Sequence, residues 1–129
     1  MGEQSPYRVL VAEKISPEGL ARLEEHFLVD AYDAMSREEF LEKLEEYDGL
    51  VVRSGTMVDA EAIRRARRLK VVGRAGIGVD NIDVEAATMK GIMVANVPES
   101  NIISAAEHTM AMLMAVARNI PAANASMEK

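Results

Sequence analysis

The 129 residues contain no cysteine and only two histidines, and their 15 basic residues are outnumbered by 21 acidic ones. Each scarcity closes off a class of chemistry. Without a thiol there is no disulfide framework, thiolate nucleophile or thiolate metal site, which agrees with a reducing compartment such as the cytoplasm. His26 and His108 stand far apart in the chain, so no metal site is expected from them. Glu107 and His108 resemble an acid pair, but adjacent residues of a helix do not face each other, and His108 is given no role. A net charge of −6 speaks against a general nucleic-acid binder, which needs a basic surface to neutralise phosphates. No apolar run approaches the roughly 20 residues of a membrane span. The opening Met-Gly-Glu-Gln-Ser-Pro lacks the charged and apolar regions of a signal peptide. The expectation is a cytoplasmic protein with neither nucleic acid nor membrane as partner.

What the chain does contain is the material of one core, with 49% apolar and 28% charged residues. Short apolar runs rich in strand formers alternate with segments of helical period, the pattern of repeated βα units around a parallel sheet. Strands are expected at Tyr7 to Ala12, Leu28 to Tyr32, Gly49 to Val52, Val71 to Arg74 and Met93 to Ala95. Their runs are mostly continuous because helices cover both faces of such a sheet. Pro17, the capping box Ser36-Arg37-Glu38-Glu39, Asp59 and Asp83 mark helix starts. Right-handed crossovers then favour a three-layer, flavodoxin-like α/β sandwich with strand order 2-1-3-4-5 and ligands beyond the strand C-termini.

The last part of the chain reads differently. Asn101 to Asn119 is expected as one long helix, and Thr109 to Ala117 (Thr-Met-Ala-Met-Leu-Met-Ala-Val-Ala) is apolar around its whole circumference. A helix on the outside of a small sheet buries one face only, so this one needs a second partner, and a homodimer through residues 101–119 is expected. Pro121 permits a new short helical turn from Ala122 to Lys129. The expected organisation is therefore a domain over residues 1–98 and a helical segment over 99–129.

The most telling stretch is Val71 to Asp83, Val-Val-Gly-Arg-Ala-Gly-Ile-Gly-Val-Asp-Asn-Ile-Asp, in which a strand runs into glycines and then a helix cap. Glycines let backbone approach a ligand closely, and the N–H groups of such a turn attract anions. It is not a dinucleotide fingerprint, because the third position of G-x-G-x-x-G falls on Asn81. Arg53 and Arg74 end neighbouring strands, spaced about 5 Å apart in a sheet. Two converging guanidinium forks would hold a phosphate or carboxylate, and the pattern leaves open that each merely pairs with a helix. Ser54 and Thr56 offer hydroxyl donors or cap the turn before Asp59. Asp80, Asn81 and Asp83 read as turn and N-cap residues. The basic run Ile63 to Lys70 reads as the solvated face of a helix, with Ile63, Ala66 and Leu69 turned inward at spacing three.

As an ordered set, Arg53-Ser54-Gly55-Thr56, Gly73 to Asp83, Gly91-Ile92-Met93-Val94-Ala95-Asn96-Val97-Pro98 and Ala105-Ala106-Glu107 resemble the N-terminal part of the D-2-hydroxyacid dehydrogenases. The Arg-Ser and Gly-Arg-Ala-Gly motifs favour the phosphoglycerate branch, and the resemblance covers nearly the whole chain. It implies an NAD-dependent parent acting on a small phosphorylated 2-hydroxy or 2-oxo acid. Arg53, Ser54, Arg74, Ala75 and Gly76 would bind the substrate, and Ile77 would stand beside the nicotinamide end of the cofactor. In that family the NAD fingerprint and the catalytic arginine, glutamate and histidine follow the part matched here. The chain itself is accordingly expected to carry no catalytic residue, to bind no cofactor and to be inactive alone, and its long helix is expected to open the NAD-binding domain.

Two other flavodoxin-like functions fare worse on their chemistry. A signalling receiver needs a phosphorylatable aspartate where the third strand ends, and Arg53 stands there without an acidic pair for magnesium after the first strand. A flavin mononucleotide carrier needs a hydroxyl-rich and glycine-rich phosphate loop after the first strand, and Glu13-Lys14-Ile15-Ser16-Pro17 is not one. Within the family the alternative is a dehydrogenase of another 2-hydroxy acid, which the two arginines disfavour relative to a dianionic phosphorylated substrate.

Overall fold

The computed structural model describes residues 7–99 and 101–127. The N-terminal hexapeptide read for a leader and the last two residues of the expected terminal turn lie outside them. Five βα-type units follow one another: β1 (Arg8–Val11), α1 (Pro17–Glu24), β2 (Leu28–Ala31), α2 (Arg37–Lys43), β3 (Gly49–Val52), α3 (Ala60–Arg65), β4 (Val71–Arg74), α4 (Val84–Met89) and β5 (Met93–Asn96). A 3-10 turn, Leu44–Glu46, extends α2. Two further helices are α5 (Ile102–Ala117) and α6 (Ile120–Met127). The first four helices start where the sequence marks them. Ser16 accepts from the N–H of Gly19, Ser36 and Glu39 form a complete capping box, and Asp59 and Asp83 accept from the N–H groups of Ala62 and Ala86.

The strands form one parallel sheet in the order β2-β1-β3-β4-β5, as expected. Its register fixes which side chains share a face, because partners in a parallel ladder point the same way. Leu10, Leu50, Val52 and Val72 share one face and are buried against Phe40, Leu44, Ile63 and Ala87 of the elements around α2, α3 and α4. Burial of each large side chain here is worth about 1.5–3 kcal/mol. The opposite face carries Val9, Val51, Val71, Gly73, Met93 and Ala95, and within residues 7–98 only α1 belongs to that side by the handedness of the crossovers. Val71 and Met93 on it are 37% and 67% exposed.

One expectation needs correction. The basic run is helical only as far as Arg65, and Ala66 and Leu69 reach the core from the loop that follows. Its arginines are solvated or paired, Arg65 with Glu61, Arg67 with Glu45 and Arg68 with Asp48. The long helix expected over 101–119 is present as α5, and the short helical turn expected after Pro121 is present as α6 with an earlier start. Arg118 caps α5, Asn119 takes a positive φ of 52°, and α6 begins at Ile120. Pro121 has no N–H for the carbonyl four residues earlier, so the first helix cannot continue through it.

The chain divides into two compact units after Pro98. In the second unit Met110, Met112, Leu113, Met114 and Val116 are all more than half exposed.

Candidate functional site

The C-terminal edge of the sheet opens into a cleft of about 830 Å³ between the loops after β1, β3, β4 and β5. Lys14, Arg53 and Arg74 are among its lining residues and no acidic residue is. The two arginines do not reach it in the expected way. Val52, the last residue of β3, pairs with Arg74, which puts Arg53 one position further along. By the alternation of the pleat, Arg53 leaves the sheet on the α1 side and Arg74 on the side of α2 to α4. Neighbouring strand ends alone therefore do not make their side chains converge.

Each arginine is held in a different manner. Arg53 is exposed, and its Nη1 donates to the carbonyl of Lys14 at 3.4 Å. Arg74 is half-buried, its Nε is fully enclosed without a hydrogen-bond partner, and its guanidinium folds back over Gly76. Any Cβ at position 76 would collide with Nη1 of Arg74, so glycine there is a requirement of close approach. Among the described residues neither arginine takes part in an ion pair.

The glycine turn is stitched to its neighbours. Ala75 donates its N–H to Val52 and Gly76 its own to Arg74, both at 2.8 Å. The carbonyl of Gly76 accepts from the N–H of Val97 at 2.9 Å, and that of Ile77 from Nδ2 of Asn96 at 2.6 Å. Of the cradle expected from Ala75 to Gly78, the N–H groups of Ala75 and Gly76 are thus used within the chain, and those of Ile77 and Gly78 have no partner among the described residues. The Ile77 side chain is 37% exposed.

Two residues hold the Arg53 turn that spacing alone did not single out. The Glu13 carboxylate accepts from the N–H groups of Arg53 at 3.0 Å, Gly55 at 3.1 Å and Thr56 at 2.8 Å. Partial burial pushes its pKa up, but these backbone donors and the Thr56 hydroxyl outweigh burial and hold it below the ordinary value. Asn81, buried, donates Nδ2 to the carbonyls of Arg53 and Thr56, both at 2.7 Å. The turn before Asp59 is therefore closed chiefly by Glu13, while Ser54 is exposed and Asp59 caps α3 itself. The available signal was an acidic residue directly after the first strand, ahead of the helix-opening Ser16-Pro17, whereas the burial of Asn81 is visible only in the structure.

None of the helices α1 to α4 offers the N-terminus that a dinucleotide needs. Its pyrophosphate needs an open helix N-terminus behind a glycine-rich turn. The N-termini of α1 to α4 are each closed by their own serine or aspartate, and the Gly76-Ile77-Gly78 turn leads to α4 under the Asp83 carboxylate. No group of three or more histidines or carboxylates among the described residues is arranged to hold a metal. No helix among them is long and apolar enough to cross a membrane.

Residues 9–128 match the family described as D-isomer specific 2-hydroxyacid dehydrogenase, catalytic domain. The D-3-phosphoglycerate dehydrogenase of Methanocaldococcus jannaschii is 50% identical over 95% of this chain. This chain spans 23% of that relative's length. The crystal structure of the TT0316 protein from Thermus thermophilus superposes with a TM-score of 0.80 at 35% identity, over 92% of this chain and 39% of that one. The NAD-bound 3-phosphoglycerate dehydrogenase of Entamoeba histolytica does so with a TM-score of 0.71 at 26% identity, over 86% of this chain and 39% of that one. With sequence, strand order and sheet-edge cleft in agreement, the chain belongs to the D-isomer specific 2-hydroxyacid dehydrogenases.

Proposed function

We propose that these residues form the substrate-positioning part of an NAD-dependent D-3-phosphoglycerate dehydrogenase, which converts 3-phospho-D-glycerate to 3-phosphohydroxypyruvate at the start of serine biosynthesis. The observation that carries this reading is a cleft at the C-terminal edge of the sheet whose lining includes Lys14, Arg53 and Arg74 and no acidic residue. The name and 50% identity of the archaeal relative support the choice of substrate. Arg53 and Arg74 supply permanently charged forks for the phosphate and carboxylate, Ser54 adds a hydroxyl, and the turn through Ala75 and Gly76 brings backbone close to the ligand. The unpartnered N–H groups of Ile77 and Gly78 extend that turn as donors. Ile77 is the residue assigned to the cofactor side, on the family resemblance. NAD itself is assigned to the parent enzyme rather than to these residues, and the chain alone is expected to be inactive. The setting is cytoplasmic.

We further propose a homodimer built on α5, because its exposed Met110, Met112, Leu113, Met114 and Val116 forfeit several kcal/mol in water at roughly 1.5–3 kcal/mol for each side chain buried. Sedimentation at tens of micromolar is the check, and a strict monomer that binds no hydrophobic dye contradicts it.

Titration of the 15N-labelled chain separates the substrate readings. D-3-phosphoglycerate should give saturable shifts around Arg53 and residues 74–78, with a millimolar dissociation constant because an open half-site leaves the anion hydrated. Equal shifts from D-lactate at the same concentration favour a dehydrogenase of an unphosphorylated 2-hydroxy acid instead.

A further inference from the structure

The turn that carries Arg53 belongs to β3, yet its backbone is held from outside. One carboxylate, that of Glu13 in the loop after β1, receives three of its four N–H groups, from Arg53, Gly55 and Thr56 at 3.0, 3.1 and 2.8 Å. One amide, that of Asn81 in the loop after β4, donates to its carbonyls at Arg53 and Thr56, both at 2.7 Å. The two grips are complementary, since an acceptor takes the donors and a donor takes the acceptors. The neighbour of Glu13 also enters, because the Lys14 carbonyl accepts from the Arg53 guanidinium. Main chain and side chain of Arg53 are thus tethered to the same dipeptide.

We propose that Glu13 and Asn81 are positioning residues of the anion site, which fix where the Arg53 guanidinium stands by clamping the Arg53–Thr56 turn between the loops after β1 and β4. The inference rests on the reading of Arg53 as a ligand contact. It extends that reading to two side chains that need not touch the ligand at all.

Three features favour a clamp over ordinary loop satisfaction. The loop that supplies Asn81 also carries the Gly76–Gly78 turn, so one side chain ties the arginine to the other half of the site. A backbone bridge runs beside it, with the N–H of Val58 donating to the Asn81 carbonyl at 2.8 Å and that of Asp83 to the Val58 carbonyl at 2.9 Å. Finally, Gly55 leaves no room between turn and carboxylate, since a Cβ there would stand 3.0 Å from Oε2 of Glu13.

The chemistry of the clamp dictates the substitutions. Asn81→Asp keeps the shape but sets a carboxylate oxygen against two carbonyl oxygens. Glu13→Gln keeps Oε1, which serves Arg53 and Thr56, and loses the Gly55 bond at Oε2. Backbone 15N relaxation on the 129-residue chain reads the clamp without any ligand. Order at Arg53, Gly55 and Thr56 should fall in both variants, further in Asn81→Asp, while the strands keep theirs. Titration with D-3-phosphoglycerate reads its consequence. Affinity should fall about tenfold in Asn81→Asp and less in Glu13→Gln, and neither substitution should matter once Arg53→Ala is present. That dependence on Arg53 is what a purely structural role would not produce. Unchanged order at the turn in both variants, or losses that simply add to that of Arg53→Ala, overturns the proposal. If the unsubstituted chain shows no saturable shift, or if Arg53→Ala leaves its affinity intact, the reading of the anion site fails and the proposal with it.

Discussion

The two edges of the sheet use arginine in opposite ways. At the N-terminal edge Arg8 is saturated: it bonds Asp30 at 2.9 Å and Glu46 at 3.0 Å, and its guanidinium lies 4.7 Å above the ring of Tyr47. Tyr47 donates its hydroxyl to Asp30 at 2.7 Å, and Asp48 receives the Arg8 N–H and the Arg68 guanidinium, both at 3.1 Å. At the C-terminal edge Arg53 and Arg74 have no ion pair among the described residues, although acidic residues outnumber basic ones in the chain as a whole. The nearby carboxylate, Glu13, is turned onto backbone N–H groups instead. Arg8 is thus saturated within the chain, whereas Arg53 donates only to the Lys14 carbonyl and Nε of Arg74 has no partner.

This contrast predicts that substitutions at the first edge act on stability and those at the second on binding. The largest effect on folding belongs to Asp48→Ala, which removes a buried acceptor serving both the Arg8 N–H and the Arg68 guanidinium, and should cost about 2–3 kcal/mol in urea denaturation. Ligand shifts at the cleft should survive it, and their loss would blur the division between the edges. Tyr47→Phe comes next. It deprives Asp30 of one of its two donors and should cost about 1–2 kcal/mol.

Acid probes both edges at once. Hydrogen bonds from Tyr47 and then Arg8 hold the Asp30 carboxyl below its ordinary value, and Glu13 is depressed by its backbone donors despite partial burial. A carboxyl depressed in the folded state contributes stability that is complete above its unfolded pKa, about 4, and is lost as pH falls through the folded value. Melting temperature should therefore be level from neutrality down to about pH 5 and decline below it. A decline beginning near pH 6 would point to a different titrating group. The smallest effect on folding is that of Arg53→Ala, within about 0.5 kcal/mol, because the side chain is exposed and makes no ion pair, only a long hydrogen bond to the Lys14 carbonyl.

Much of the fold was legible in the sequence because its signals are local. Continuous apolar runs mark buried parallel strands, and Ser16, Ser36, Asp59 and Asp83 each cap a helix from within a few residues. The strand order followed from crossover handedness. The site was legible only as a set of residues at one edge. Whether Arg53 and Arg74 leave on the same face depends on register, and the pairing of Val52 rather than Arg53 with Arg74 sends them to opposite faces. Glu13 and Asn81 act on backbone 25 to 43 positions away, at separations where no periodicity reaches. The break between the last two helices was legible from Pro121, which forbids the hydrogen bond that a single helix would need.

The most direct test of the contrast is a chemical-shift titration of the 129-residue chain with D-3-phosphoglycerate, run beside an Arg53→Ala, Arg74→Ala double variant and an Arg8→Ala variant. Saturable shifts at residues 53 and 74–78 should persist in the Arg8→Ala protein and vanish from the double variant. Shifts that persist unchanged without Arg53 and Arg74 would place the anion elsewhere and contradict the account.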